Sequence, residues 1–417
     1  MRTYLLLGAM AAVSLQAQVQ PQPKTQVFTL PNGLRVLLLE DHEHPLVRAR
    51  LHLEIEAQDV PAGRQGLPQL ALRMFACSDA GSLKAEELER FQEDAGIQLE
   101  SWAAPGGLDW RLSVRSRDQD RALGLLADRI LRSLFDPGML EEQREACWQE
   151  EERRGDDALL RLRQGLNQAP EARPTFASLG AITWEELLGF RARVFRPDRA
   201  LLVLHGDLGL EQAKRLVLLS LGSWTPQESR SGASTLESPA RPQPQPAPAK
   251  PWPLWITTEA GAGGRVQAVA PRPAAVLPES AALLDLLVPG EPSLFPARAA
   301  AEPGCLVATE DARAGSDPAL SRLLARLEAM RLRGFAQADL DRARAAWNAG
   351  RSLETLHPEA RMDHTLQEAL GRGVTPERMK TLSLERLNAD LRLWLEPANL
   401  RTGGLRKAGS AEGPPVP

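Results

Sequence analysis

The stretch from Gly66 to Phe75 constrains the fold of this chain more than any other part of the sequence. Its apolar residues recur every three or four positions, which is the spacing of one buried face of an α-helix. These residues are Leu67, Leu70, Ala71, Met74 and Phe75. Gln69 and Arg73 are one helical turn apart and lie outside that set. The pattern predicts an amphipathic helix whose apolar face packs on a core.

Regular patterns continue on both sides of this helix. Asn32-Gly33 between two apolar runs predicts a β-hairpin with a type I′ turn, because both residues tolerate a positive φ. Val47–Ile55 alternates and is predicted to be a half-buried strand. A capping box at Thr183–Glu186 predicts the start of a helix. Further strands are predicted at 108–116 and 201–205, and further helices at 81–96, 121–134, 140–154 and 210–221.

The decamer resembles the zinc-binding helix of the pitrilysin/insulinase (inverzincin) metallopeptidases. That helix reads Gly-x-x-His-x-x-Glu-His-Met, in which two histidines bind zinc and the glutamate activates water. The matching positions here are Gln69, Leu72 and Arg73. Taken alone, the decamer favours an ordinary amphipathic helix that matches the family by chance. The order of the patterns from Val27 to Trp224 favours the family resemblance.

The family's third zinc ligand is a glutamate on a later helix, and its spacing matches Glu150. The segment Gln143–Glu150 resembles the family's Glu-Arg-x-x-x-x-x-Glu text, with Gln143 in place of an assisting glutamate. The resemblance therefore implies a degenerate non-peptidase homologue with no catalytic residue, no metal and no cofactor. Its vestigial site comprises Gln69, Leu72, Arg73, Gln143 and Glu150.

Arg73 is predicted to pair with Glu150, because in the family these two positions converge on one ion. A planar guanidinium can hydrogen-bond both oxygens of a carboxylate. In the alternative, Arg73 extends into solvent and Glu150 pairs with Arg144 or Arg153 on its own helix.

Composition sets broad limits on the function. The chain has 417 residues, of which 43% are hydrophobic and 25% charged, which is typical of a globular protein of two domains. A net charge of −4 gives no electrostatic reason to expect nucleic acid or an anionic membrane as a partner. Three cysteines form no metal motif, so isolated thiols are expected, with a Cys77–Cys147 disulfide as the alternative.

Residues 1–18 have the pattern of a secretory signal peptide. One positive charge precedes a short apolar run, and cleavage is predicted after Ala17. The run is too short to span a bilayer, although retention as an anchor stays open. The mature protein is expected in a bacterial periplasm, with no membrane contact after cleavage.

The chain is predicted to be α+β, with two homologous pitrilysin-like α/β-sandwich domains at 27–224 and 254–404. The second domain is expected to be shortened, because it has roughly 150 residues, whereas a full repeat would be comparable in size to the first. The proline-rich segment 225–253 is predicted to be a linker, with a ligand for a partner domain as the alternative. Residues 405–417 are predicted to be a disordered tail.

Other candidate sites are weaker. Active relatives hold substrate with an arginine and a tyrosine in the second half, but the only tyrosine here is Tyr4, in the leader. The histidine-containing segment Asp41–Pro45 is predicted to be a solvated turn. Three further histidines lack a partner at metal-ligand spacing and are expected in core or surface roles: His205, His357 and His364.

The sequence therefore predicts an exported, non-catalytic homologue of a zinc metallopeptidase. The expected partner is an active pitrilysin-like peptidase subunit, since family chambers are often assembled from one active and one degenerate chain; peptides are a second candidate ligand. One alternative is a solitary periplasmic peptide-binding or scaffold protein. The other is a zinc-dependent peptidase whose metal residues are misaligned here.

Overall fold

The computed structural model of the protein describes most of the two predicted domains. The described residues are 25–104, 106–155, 174–226, 254–258, 265–273, 275–288, 305–311, 316–354 and 356–407. The predicted leader, residues 227–253 of the predicted linker and the tail from residue 408 lie outside them. Helices and strands are mixed throughout, which confirms the α+β class. None of the described helices has the length and apolar character needed to cross a bilayer.

Strands and helices of the described residues are numbered in chain order. The strands are β1 Gln26–Thr29, β2 Arg35–Glu40, β3 Leu46–Glu54, β4 Asp79–Ala80, β5 Gln98–Ala104, β6 Gly107–Arg115, β7 Ser133–Leu134, β8 Ala200–Gly206, β9 Leu254–Thr258, β10 Arg265–Pro271, β11 Cys305–Asp311 and β12 Arg401–Lys407. The helices are α1 Leu67–Cys77, α2 Ala85–Asp94, α3 Gln119–Leu131, α4 Leu140–Gly155, α5 Phe176–Ala181, α6 Trp184–Val194, α7 Leu210–Leu221, α8 Pro278–Leu287, α9 Ser316–Arg333, α10 Gln337–Glu354, α11 Pro358–Ala369, α12 Pro376–Thr381 and α13 Leu384–Trp394.

A six-stranded sheet organises the first half, in the order β1-β2-β8-β3-β6-β5. β2 and β8 run parallel, and the other neighbours are antiparallel. Side chains of α1, α3, α6 and α7 bury one face, here called the inner face, which carries Leu51 and Leu53. The hydrophobic core of this half lies between that face and the helices.

The opposite, outer face of the sheet is covered by α11 from the second half. Met362 and Leu366 of α11 pack on apolar side chains of β2 and β8, including Leu37 and Val203. Because of this cover, β3 is buried on both faces along most of its length. The strand prediction is confirmed, but the expectation that it is half-buried is wrong.

A four-stranded sheet organises the second half, in the order β11-β10-β12-β9. Its own core contains side chains of α8, α9 and α13. β12 pairs with β10 and β9 as far as Lys407, so residues 405–407 belong to the sheet and not to a disordered tail. The tail prediction is wrong for these three residues because their backbone hydrogen bonds complete the ladder. The division into two homologous domains stays a prediction.

The opening hairpin is confirmed, but its turn differs from the predicted type I′. β1 and β2 pair from Thr29 opposite Arg35, and the Gly33 amide donates to the Leu30 carbonyl at 3.0 Å. The two central residues are therefore Pro31 and Asn32. A proline ring fixes φ near −65°, whereas type I′ requires a positive φ there. Gly33 takes the positive φ, at 95°, one position later.

Candidate functional site

The helix α1 confirms the amphipathic pattern of the sequence. Leu70 and Met74 are fully buried against the sheet and its covering helices. Gly66 precedes the helix with a φ of 98°, and a Cβ atom there would lie 2.6 Å from the Leu179 side chain. Glycine is therefore required at this position for both its backbone conformation and the close approach of α5.

The end of α1 is held by a buried arginine. The Arg129 guanidinium donates to the carbonyls of Ala76, at 2.9 Å, and Ser78, at 3.2 Å. These carbonyls have no partner within the helix, and a cation there also interacts favourably with the helix dipole. The scaffold that presents the vestigial site is thus fixed at both ends of α1.

Helix α4 packs beside α1 and brings the two predicted partners together. The Arg73 Nη1 atom donates to Glu150 Oε2 at 3.2 Å, which confirms the predicted ion pair. Their side chains are 33% and 41% exposed, so water screens the attraction. Such half-exposed pairs typically contribute less than about 1 kcal/mol.

The other three positions of the vestigial site offer no catalytic group. Leu72, at the position of the water-activating glutamate, is only 5% exposed and belongs to the hydrophobic core. Gln69 is half-buried, and its Oε1 atom has no hydrogen-bond partner. Gln143 is buried. An amide is neither a general base at neutral pH nor an anionic ligand, so this set cannot remove a proton from water.

The zinc ion that this kind of helix pair holds in peptidases does not fit these residues. The Arg73 guanidinium contacts Glu150, the one carboxylate among the five residues of the vestigial site. Glu150 would be the only anionic ligand of this set, because Gln69, Leu72 and Arg73 supply no thiolate, imidazole or carboxylate. No reaction step through a metal follows from this site.

An ionic cluster on the outer face was not predicted from the sequence. It consists of Arg50 and His52 on β3, Asp109 on β6 and Asp363 on α11. The Arg50 Nε atom donates to Asp109 Oδ1 at 2.9 Å, and His52 Nδ1 lies 3.2 Å from the same oxygen. Arg50 also forms an ion pair with Asp363. The cluster thus joins the first sheet to the helix that covers it.

Burial and charge act in opposite directions on the two acids of the cluster. Burial alone would raise the pKa of Asp109, but the hydrogen bond from His52 and the charge of Arg50 outweigh it and hold that pKa below its usual range. For Asp363 burial is the stronger effect, and its pKa is raised despite Arg50. The charged residues at alternate positions of β3 and β6 were visible in the sequence, but the helix that meets them was not.

The remaining sequence-predicted residues are scattered. His205 is buried in β8, His357 is exposed before α11 and His364 lies within α11. His42, Glu43 and His44 are exposed, as the solvated-turn prediction requires. Tyr4 lies outside the described residues. Neither Cys77 nor Cys147 forms a disulfide, as expected.

Comparison with known proteins identifies the fold. No model of a known family matches the sequence, and no curated protein matches it. A protease from Helicobacter pylori has a similar structure, with a TM-score of 0.72 and 14% identity over 93% of this chain and 100% of the other. A structure described as the inactive domain of an M16 peptidase from Pseudomonas fluorescens has a TM-score of 0.69 and 16% identity, over 94% and 100%. The periplasmic protease PqqL from Escherichia coli has a TM-score of 0.67 and 16% identity, over 98% of this chain and 49% of PqqL.

The protein therefore has the fold of the M16-like peptidases, the pitrilysin/insulinase class, and the resemblance drawn from the sequence is confirmed as to fold. At these identities the likeness extends to the fold alone. The similar structures include both a protease and a domain described as inactive. The fold alone therefore does not determine whether a chain is catalytic.

Proposed function

We propose that the protein is a non-catalytic pitrilysin-like protein that acts as the inactive partner subunit of an active pitrilysin-like peptidase. The observation that carries this proposal is the ion pair between Arg73 and Glu150, the two residues that the sequence matches to zinc ligands of the family. The helices α1 and α4 that frame the position are kept, whereas the side chains needed for chemistry are replaced. Because the two helices are kept and the catalytic side chains are not, a role in binding and assembly is favoured.

The ion pair also supports the alignment on which the proposal rests. Arg73 and Glu150 are far apart in the sequence, and the family pattern matches them to two zinc ligands on the sequence alone. A peptidase with a misaligned metal site would give no reason for these two side chains to meet. The third of the sequence-based hypotheses is therefore the weakest.

The edge of the first sheet supports a peptide-holding role. β5 is the outermost strand of the six-stranded sheet and lies against α1. In the described residues its outer edge pairs with no further strand. An extended peptide can add to such an edge by main-chain hydrogen bonds, which are largely independent of sequence. This edge equally favours the second candidate, a solitary periplasmic peptide-binding or scaffold protein.

Export and domain organisation complete the proposal. The leader at residues 1–18 would direct the chain to the periplasm, and PqqL, a similar structure, is described as a periplasmic protease. Residues 27–224 and 254–407 would be homologous domains, the second of them shortened. Each half has its own sheet and its own buried apolar cluster, which supports that division.

Co-purification with an intact relative tests the partnership. The candidate is a chain from the same organism, encoded nearby, that carries an unbroken His-x-x-Glu-His motif. We expect the two pure proteins to elute together at micromolar concentration, and the peptidase activity of the intact chain to rise on mixing. An unrelated periplasmic protein of similar size serves as the control.

Two outcomes separate the candidates. If the proteins ignore each other but the present chain binds extended peptides alone, the solitary peptide-binding function replaces the partnership. Peptide hydrolysis by the present chain alone, abolished by Glu150→Ala, would contradict both.

A further inference from the structure

His205 is a buried histidine whose ring nitrogens form no hydrogen bond with the described residues. Its side chain is 1% exposed. Burial, together with the charge of Arg361, lowers its pKa to about 4, so the ring is neutral at neutral pH. A neutral imidazole carries one donor and one acceptor, and both are unmatched here. Buried polar groups are normally satisfied, so this ring points to a partner such as an ion.

The sheet places this ring beside the loop that follows β2. β8 and β2 run parallel, with His205 opposite Leu39. The His205 Nε2 atom therefore lies 3.5 Å from Asp41 Oδ2, although the two residues are far apart in the sequence. One ligand atom each from Asp41, Glu43 and His44 lies within 4.8 Å of the others, and His44 Nδ1 is 4.0 Å from Asp41 Oδ1.

These separations suit a shared ion. Two ligands bonded to a tetrahedral zinc ion at about 2.0–2.1 Å lie roughly 3.3–3.5 Å apart. His205 and Asp41 are already at that separation without a hydrogen bond between them. His44 and Glu43 are exposed, and each offers a ligand atom within 4.8 Å of one on Asp41.

We propose that Asp41, Glu43, His44 and His205 form a binding site for one divalent transition-metal ion of the zinc type. Two imidazoles and two carboxylates favour such an ion over magnesium or calcium, which prefer oxygen ligands. The site lies at the outer face of the sheet, whereas the vestigial site lies beside α1 and α4 on the inner side. It is therefore separate from the zinc position of active relatives.

The charges around the loop are mixed. Arg361 of α11 donates to Asp41 Oδ2 at 3.2 Å, and His42 pairs with Asp207 at 2.8 Å. A side chain that donates a hydrogen bond to a metal-binding carboxylate commonly orients it, and Arg361 is placed to do so for Asp41. Two guanidinium groups face His205, those of Arg48 and Arg361. The acidic groups near the loop outnumber them: Glu40, Asp41, Glu43 and Asp207. An ion held here would fix the loop to β8 and, through Arg361, to α11.

Zinc titration of the full chain tests this site. The protein is freed of metal with a chelator and titrated calorimetrically with Zn²⁺ near neutral pH, and Co²⁺ is used in parallel for its visible spectrum. We expect one equivalent to bind, with a Co²⁺ spectrum typical of tetrahedral coordination. Loss of an outer-shell partner already weakens metal binding by about 10–100-fold. His205→Leu and His44→Gln should therefore each weaken it at least tenfold.

The controls separate this site from other ways of binding zinc. His42→Gln changes an exposed histidine of the same loop that pairs with Asp207, and it should leave the affinity unchanged. If His205→Leu does not fold, the exposed His44→Gln still decides the question. Absence of binding, or binding that survives both His44→Gln and His205→Leu, overturns the proposal. Zinc that is lost on Glu150→Ala and kept on His44→Gln overturns it as well.

Discussion

Leu70→Asp and Met74→Asp are each expected to unfold the first half of the protein. Both side chains are fully buried on the face of α1 that packs on the core. Truncating such residues to alanine already costs about 2–5 kcal/mol. Burying a carboxylate in their place adds several kcal/mol more, which together approaches the 5–15 kcal/mol total stability of a typical domain. Urea unfolding followed by far-UV circular dichroism measures the loss.

Gln69→Ala is the matched control on the same helix. Gln69 is half-buried and its Oε1 atom has no hydrogen-bond partner, so its removal leaves no other group unsatisfied. We expect a cost under about 1 kcal/mol. Similar losses for Gln69→Ala and the two aspartate variants would show that α1 does not pack as described.

Asp109→Asn is expected to cost about 3 kcal/mol. Asp109 is 1% exposed and interacts with Arg50 and His52. Removing one partner of a buried ion pair typically costs about 3–5 kcal/mol. Because Asp363 still pairs with Arg50 in this variant, we expect a cost at the lower end of that range. The exposed pair of Glu54 and Arg372, on the same face, provides the control. Glu54→Gln should cost less than about 1 kcal/mol.

The pH dependence of stability distinguishes a charge effect from a packing effect. The pKa of Asp109 is lower in the folded protein than its ordinary value. Its stabilisation is therefore complete above about pH 3.9, the unfolded value, and is lost as the pH falls through the folded pKa. Asp109→Asn should remove that acid-dependent component. An equally steep acid loss in Asp109→Asn and in the wild type would assign the effect to other groups.

Local patterns predicted most of the first half. The spacing of apolar residues in α1 depends only on the period of a helix, and the family resemblance fixed which residues of α4 would face it. Arg73 and Glu150 could therefore be paired from the sequence. The type I′ turn was wrong because Pro31 shifts the turn by one residue and leaves Gly33 to take the positive φ.

Contacts between the two halves could not be predicted in this way. Arg50 and His52 alternate with apolar residues in β3, which normally indicates a solvated face. Arg50 is buried because α11, far along the chain, places Asp363 against it. The approach of His205 to Asp41 likewise depends on the parallel register of β2 and β8. Neither of these two contacts can be predicted from the spacing of residues along the chain.

Zinc content at the vestigial site is the most direct test of the central claim that an ion pair replaces the metal. Bound zinc is measured after dialysis in four proteins. They are the wild type, the double variant Gln69→His/Arg73→His, and each of these two with Glu150→Ala added. All four carry His44→Gln, which weakens the proposed loop site, and "wild type" here means the chain with this change alone. The wild type should hold no zinc that depends on Glu150, because Arg73 occupies that carboxylate. The double variant restores two imidazoles to an intact frame and should bind one equivalent that Glu150→Ala abolishes. Zinc at 100 times its dissociation constant would then stabilise it by about 2.7 kcal/mol. One equivalent in the wild type, lost on Glu150→Ala, would contradict the account.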